Sequence, residues 1–146
     1  MNATMFEPHR SENATILQNL LAAPPFAFDG NLFSQVPEEY GLYLIAHVDK
    51  DTGEQECLKA GSSARRKKGG LRARLKEHYG SGDQKNPKKS SDFVSKVMDR
   101  LNCDKPTAQA WINNCIVQWI VEKDRKTCEW AEYYMLSVLR RPRWSR

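Results

Sequence analysis

The segment Gly41-Leu-Tyr-Leu-Ile-Ala-His-Val48 decides the fold class of this chain. It is rich in residues that favour a β-strand. A second apolar run, residues 57–60, follows after a polar stretch in which Gly53 suits a hairpin turn. The two runs therefore predict a pair of antiparallel strands.

Helical patterns lie on both sides of this strand pair. Four helices are predicted, over residues 11–22, 71–79, 92–101 and 127–139. Gly80 is placed to end the second of them, and Thr127 to cap the last. Residues 115–121 form a β-branched and aromatic run that is typical of a buried central strand. The pattern predicts a small α/β sandwich, with an antiparallel or mixed sheet of about three strands flanked by helices.

Length and composition indicate one globular domain. The chain has 146 residues, of which 40% are hydrophobic and 28% charged. We expect an N-terminal helix and connector over residues 1–39 and the main domain over residues 40–146. No apolar run reaches membrane-spanning length and the first residues lack a secretory pattern, so a cytoplasmic protein without a membrane partner is expected. The four cysteines form no Cys-x-x-Cys pair, which favours reduced thiols over a zinc site.

Positive charge is concentrated in one part of the sequence. The net charge is +5, yet residues 59–89 contain eleven Lys or Arg against two acidic residues. The remainder of the chain is therefore net negative. Such an asymmetry favours a surface that meets a polyanion such as nucleic acid, although a solvated lysine-rich loop would give the same count.

Short motifs along the chain resemble those of the GIY-YIG nucleases. Gly41-Leu42-Tyr43, at a strand start, resembles the first signature of that family, and Lys59-Ala60-Gly61 falls where the second signature would be. Arg74 and His78 are similar to the arginine and histidine of the family's helix, and Glu132 resembles its C-terminal acidic residue. The resemblance covers roughly residues 40–145.

The resemblance implies a metal-dependent endonuclease that nicks or cleaves DNA with one Mg²⁺ or Mn²⁺ ion. Phosphodiester hydrolysis needs an activated water, a cation beside the developing charge and help for the leaving oxygen. Tyr43 is the candidate for orienting or deprotonating the water, and Arg74, one helical turn from His78, for clamping the phosphate. Glu132 offers hard carboxylate oxygens for the metal ion.

Lys59 is the main departure from the family pattern, which usually has tyrosine at this position. An ammonium close to Tyr43 would favour the phenolate and bring the pKa of Tyr43 below its ordinary value of about 10. We therefore expect Lys59 to be a fifth catalytic residue. Because lysine stands here in place of the family's tyrosine, a second interpretation stays open. In that interpretation the chain is a catalytically silent module that only binds nucleic acid.

The basic region supplies the candidates for nucleic-acid binding. They are Arg65, Arg66, Lys67, Lys68, Arg72, Lys85, Lys88 and Lys89. DNA is the expected partner, RNA stays open as a substrate, and a small basic RNA-associated protein is a second alternative. A homodimer or a targeting partner would help so small a domain to choose its site. Three tryptophans, at positions 111, 119 and 130, are expected in the core, and Trp144 on the basic tail is a candidate nucleic-acid contact.

Overall fold

A computed structural model describes residues 7–80 and 92–139 of the chain. The helices are α1 (Glu7–Ala22), α2 (Gly70–Tyr79), α3 (Phe93–Leu101), α4 (Lys105–Ile112) and α5 (Arg125–Val138), with a short 3-10 helix at Leu32–Ser34. The strands are β1 (Phe26–Ala27), β2 (Gly41–Val48), β3 (Gln55–Ser62) and β4 (Cys115–Val121). The predicted α/β class is confirmed. Within those ranges, no helix combines the length and the apolar character needed to cross a bilayer.

The four strands form one antiparallel sheet in the order β1-β4-β2-β3. Strand β2 lies between β4 and β3, so the predicted strand pair is the centre and one edge of the sheet. The sheet has four strands, where about three were predicted, because Phe26 and Ala27 pair with Val117 and Ile116 of β4. This two-residue strand is too short for the alternation of apolar and polar residues that identifies a strand in the sequence. In the described part of the chain, β3 leaves its outer edge open.

Helices cover both faces of the sheet. Alternate side chains of β2 point to opposite faces, because successive residues of a strand alternate. Tyr43 and Ile45 pack in a core with residues of α2, α3 and α4, whereas Leu42 and Leu44 pack in a second core with residues of α1 and α5. Tyr43 on β2 therefore lies on one face of the sheet, whereas α5, which carries Glu132, packs on the other face.

Close packing of α2 against the sheet explains the first glycine of the motif at the start of β2. A Cβ atom on Gly41 would lie 2.2 Å from the carbonyl oxygen of Ile120 and 2.5 Å from Cδ1 of Leu71. Both distances are far below van der Waals contact. Position 41 thus needs glycine so that α2 can approach strands β2 and β4.

Three details of the sequence prediction are corrected by the structure. Helix α4 was not predicted; Asp104 caps it by accepting a hydrogen bond from the backbone N–H of Thr107 at 2.9 Å. Asp124, and not Thr127, caps α5. Trp130 is 53% exposed on α5, so its assignment to the core was wrong. For α5, local propensity identified the segment, but its first residue and its buried face depended on tertiary packing.

Candidate active site

A cleft of about 580 Å³ opens at the free edge of β3, between α2 and α5. Four of the five candidate catalytic residues line it, and His78 lies behind them, fully buried. The lining side chains are Tyr43, Lys59, Ser62, Arg65, Arg66, Lys67, Arg74, Glu77 and Glu132. The cleft thus combines residues from β2, β3, α2, α5 and the loop between β3 and α2.

Tyr43 and His78 are in direct contact. The Tyr43 phenol oxygen lies 2.6 Å from Nε2 of His78, and both side chains are buried. Helix α2 brings His78 to this point because Leu71, Leu75 and His78 all face the sheet. The structure thus brings the first motif and the α2 motif into contact.

The start of α3 fixes the protonation of His78. The backbone N–H of Phe93 donates a hydrogen bond to Nδ1 of His78 at 2.8 Å, so Nδ1 must be an unprotonated acceptor. Burial, with the positive charges of Arg74 and Lys59, holds the pKa of His78 well below its usual range. A neutral imidazole whose Nδ1 accepts carries its proton on Nε2, which then donates to the oxygen of Tyr43.

Arg74 is held between two carboxylates. Its Nη1 atom lies 3.1 Å from Oδ1 of Asp92 and 3.3 Å from Oε2 of Glu77. Glu77 also pairs with Arg66 from the loop before α2. The side chain of Arg74 is 19% exposed, and its charge and hydrogen bonding act on the phenol of Tyr43. Arg74 therefore reaches both Tyr43 and the open cleft.

A β-bulge aims Lys59 into the cleft. Ile45 pairs with Lys59 and Ala46 with Cys57, which leaves Leu58 as an extra residue on β3. Leu58 packs in the core while Lys59 faces the cleft with 9% of its surface exposed. Burial, followed by the charges of Arg74 and Lys96, lowers the pKa of Lys59 to about 8. The Lys59 ammonium is therefore destabilised in the folded protein.

The pKa of Tyr43 differs from the sequence prediction. Burial raises it to about 12, and the charge of Arg74 only partly opposes this effect. The prediction that Lys59 would bring this pKa below its ordinary value was wrong, because the desolvation of a fully buried phenol outweighs the effect of the one cation that lowers it, Arg74. At neutral pH and without a bound ligand, Tyr43 is therefore protonated.

Gly61 lets the Tyr43 ring reach the edge of the sheet. The two residues are direct partners across β2 and β3. A Cβ atom on Gly61 would lie 2.5 Å from the Tyr43 hydroxyl oxygen and 2.9 Å from Cζ. Any side chain at position 61 would therefore displace the phenol.

Glu132 approaches the cleft from the opposite face. Its Oε2 atom accepts a hydrogen bond from the Ser62 hydroxyl at 2.8 Å, which ties α5 to the end of β3. In the part of the chain that the structure describes, no three His, Cys, Asp or Glu side chains cluster as a metal site. One carboxylate beside an open cleft nevertheless fits Mg²⁺, which keeps several water ligands and adds substrate phosphate oxygens.

No protein family, characterised protein or solved structure matches this chain in sequence or structure comparisons. The functional assignment therefore depends on the motifs in the sequence and on the geometry of the cleft. That geometry brings together residues from distant parts of the chain.

Three of the eight candidate nucleic-acid-binding residues line the cleft. Arg65, Arg66 and Lys67 line it, and Lys68 lines an adjacent cleft with Lys123. Arg72 is turned away: its Nε donates to the carbonyl oxygen of Val36 at 2.8 Å, and Nη1 lies 3.5 Å from Glu38. Lys85, Lys88, Lys89 and Trp144 lie outside the described residues.

Sequence reasoning missed four residues that shape the site. They are Ser62, Glu77, Asp92 and the backbone of Phe93. Strand alternation indicates that Ser62 faces away from Lys59 and Gly61, but its contact with Glu132 depends on where α5 lies. Asp92 precedes a helix and has the sequence context of a cap, so its pairing with Arg74 has no local signal.

Proposed function

We propose that this chain is a metal-dependent endonuclease of the GIY-YIG type that hydrolyses phosphodiester bonds in DNA. The observation that carries the proposal is the convergence of Tyr43, Lys59, Arg74 and Glu132 on one cleft, with His78 behind Tyr43. Two cations, a phenol and a carboxylate around a solvent-accessible cleft are the groups that this reaction needs.

Arg74 and Lys59 form the proposed phosphate-binding part of the cleft. Both side chains line it, and both are partly desolvated, which strengthens their interaction with a charged ligand. Asp92 and Glu77 hold one nitrogen of Arg74, so the remaining N–H groups of its guanidinium can serve Tyr43 and a phosphate oxygen. Charge that develops on the phosphate in the transition state would be stabilised by donors that are already in place.

Tyr43 is the proposed acceptor of the proton from the attacking water. His78 Nε2–H and Arg74 both favour negative charge on its oxygen, and the phenolate can accept a third hydrogen bond from water. Since burial raises the pKa of Tyr43 to about 12, the phenolate fraction grows with pH. Lys59, with a pKa of about 8, loses its charge at a lower pH than the one at which Tyr43 ionises. The cleavage rate is therefore expected to rise with pH and to bend near the pKa of Lys59.

Glu132 is the proposed ligand for the metal ion. A divalent cation bound there would stabilise charge on the leaving oxygen. The Ser62 hydrogen bond fixes one carboxylate oxygen of Glu132 and so sets the side chain's direction towards the cleft. The cleft beside it is open to solvent, so a hydrated cation could reach Glu132 from outside.

The test is a nicking assay on supercoiled plasmid with and without Mg²⁺, comparing wild type, Glu132→Gln and Glu129→Gln. Glu129 lies on the same helix and provides a matched control. We expect Mg²⁺-dependent nicking that Glu132→Gln reduces by about 10² to 10³, a range typical of removing one preorganised electrostatic contribution. Glu129→Gln should retain wild-type activity.

Two outcomes would redirect the assignment. Plasmid binding without cleavage at any Mg²⁺ or Mn²⁺ concentration would favour a catalytically silent binding module. Cleavage that does not depend on Glu132 would remove the metal ligand from this cleft, and with it the proposed mechanism. Parallel assays with RNA and DNA of the same sequence determine which nucleic acid is the substrate.

A further inference from the structure

We infer that Tyr133 and Arg65 form a stacking site for an unpaired nucleobase next to the scissile phosphate. This inference rests on the proposed nucleic-acid substrate and adds a substrate class, namely strands that offer an unstacked base at the cleavage position. It starts from an exposed aromatic side chain that the catalytic mechanism does not use. Tyr133 follows Glu132 on α5, and 54% of its surface is exposed.

Arg65 links Tyr133 to the catalytic cleft. Its Nη2 atom donates a hydrogen bond to the Tyr133 hydroxyl at 3.1 Å, and its side chain also lines the cleft with Glu132. The charge of Glu132 acts on Arg65 as well. Arg65 therefore contacts the exposed ring and also lines the cleft that contains the proposed metal ligand.

The hydrogen bond limits the orientations of the ring. An exposed tyrosine normally samples several rotamers, but a partner at its hydroxyl favours one of them. A ring held in place loses less conformational entropy when a base stacks on it. Tyr133 thus has the properties of a preorganised stacking surface and not only of a mobile surface residue.

The charge around the ring matches a nucleic-acid strand. Arg65 and Lys67 are exposed, and both line the cleft that leads to the proposed phosphate-binding residues. Proteins that bind single strands combine such a basic groove with aromatic side chains on which bases stack. In a duplex the bases are already stacked on each other, so the ring can engage only a flipped, mismatched or single-stranded nucleotide.

Trp130 provides a matched control on the same helix. It is exposed to a similar extent, at 53%, but it lines a different cleft with residues of α1 such as Glu12 and Asn13. An effect of general surface hydrophobicity would be the same for both residues. An effect of position beside the catalytic cleft would be confined to Tyr133.

The experiment measures binding of short DNA oligonucleotides in the presence of EDTA, so that affinity is separated from cleavage. The single-stranded probes carry a fluorescent purine analogue at successive positions, and stacking quenches its emission. We expect Tyr133→Leu to weaken single-strand binding about tenfold, within the range of ~1 to 3 kcal/mol for one stacked base, and to leave duplex binding unchanged. Tyr133→Phe, which keeps the ring, should retain most of the affinity and the quenching at one position.

The possible results separate this inference from the proposed function. If Trp130→Leu weakens single-strand binding as much as Tyr133→Leu, or if Tyr133→Leu weakens single-strand and duplex binding equally, the stacking site is refuted even where cleavage is normal. Failure of the wild type to bind single strands would also refute it. Tyr133-dependent quenching without Mg²⁺-dependent cleavage would support the stacking site and refute the nuclease assignment.

Discussion

Tyr43 is the residue on which most of the site contacts converge. His78 donates to its oxygen, Arg74 lies close to it, and Gly61 leaves room for its ring. None of these contacts is between neighbours in the sequence. The position of one phenol oxygen therefore depends on the packing of β2, β3 and α2 together.

Gly61→Ala is expected to disable the site without unfolding the protein. The new methyl group would lie 2.5 Å from the Tyr43 hydroxyl and would push the ring out of its hydrogen bond with His78. A displacement of about 1 Å can reduce a rate by about 10². Single-turnover cleavage and circular dichroism would measure the two effects. Gly30→Ala is the control, because nothing lies within 4 Å of a Cβ atom there, and equal losses in both variants would contradict the steric explanation.

Ser62→Ala is expected to weaken metal binding. The lost hydroxyl donates to Oε2 of Glu132 at 2.8 Å, and residues that orient a metal ligand typically contribute 10- to 100-fold in affinity. Titration with Mn²⁺, followed by electron paramagnetic resonance, should show at least a roughly tenfold weaker affinity. Ser62→Thr, which keeps the hydroxyl, should bind nearly as well as wild type. Unchanged Mn²⁺ affinity in Ser62→Ala would mean that Ser62 does not position Glu132.

At the scale of elements, the start of α3 supports the site from behind. Asp92 pairs with Arg74, and the N–H of Phe93 donates to His78, so one turn of chain contacts both residues of the α2 motif. With contacts from helix α2 alone, both neutral tautomers of the imidazole would be possible. The packing of α3 against α2 selects the tautomer with the proton on Nε2, because the N–H of Phe93 occupies Nδ1.

We expect His78 to remain neutral with its proton on Nε2. Because the folded-state pKa of His78 lies well below its ordinary value of about 6.5, lowering the pH protonates the unfolded chain first and the folded protein loses stability. Nitrogen-15 NMR of the imidazole should show an unprotonated Nδ1 and a protonated Nε2 at neutral pH. The spectrum of His78→Gln assigns the signal. A protonated Nδ1 would contradict the hydrogen bond from Phe93.

The sequence predicted elements better than it predicted contacts. Strands β2 and β4 and helix α2 have strong local signals, and their bounds agree closely with the prediction. The bulge at Leu58, by contrast, shows only in the pairing of β2 with β3. The partners of Arg74 and Glu132 were not predictable for the same reason, since both depend on how distant elements dock. The order of the motifs indicated the candidate site residues. Which of these residues are in contact was determined by tertiary packing.

At the scale of the whole molecule, the buried charge of Lys59 that the proposed function uses lowers the free energy of unfolding. Folding buries most of this side chain and lowers its pKa from 10.5 to about 8. Below pH 8 the charged ammonium is therefore less stable in the folded than in the unfolded state. The folded protein carries that penalty at neutral pH, and the penalty disappears as pH rises through the interval between the two pKa values.

Lys59→Met should raise the stability of the protein at pH 7 while slowing cleavage. One unit of pKa shift corresponds to about 1.4 kcal/mol, so the lowering from 10.5 to about 8 predicts a gain on the order of 3 kcal/mol. The gain should shrink when the pH rises from 8 to above 10, where the wild-type amine is neutral in both states. Urea unfolding at several pH values measures it. Lys67→Met, at an exposed position, should show no such trend, and a destabilised Lys59→Met would contradict the argument.

The open edge of β3 also affects how the protein behaves at high concentration. An edge strand presents unpaired N–H and C=O groups to which the edge strand of another molecule can add, and this is a common start of aggregation. Lys59 lies in the middle of that edge strand, and a charge pointing inward there opposes the addition because a second strand would bury it completely. The same ammonium that is proposed to bind phosphate is therefore expected to oppose association through this edge. A Lys59→Met protein that resists urea better as a monomer should consequently be the more prone to aggregate during expression and storage.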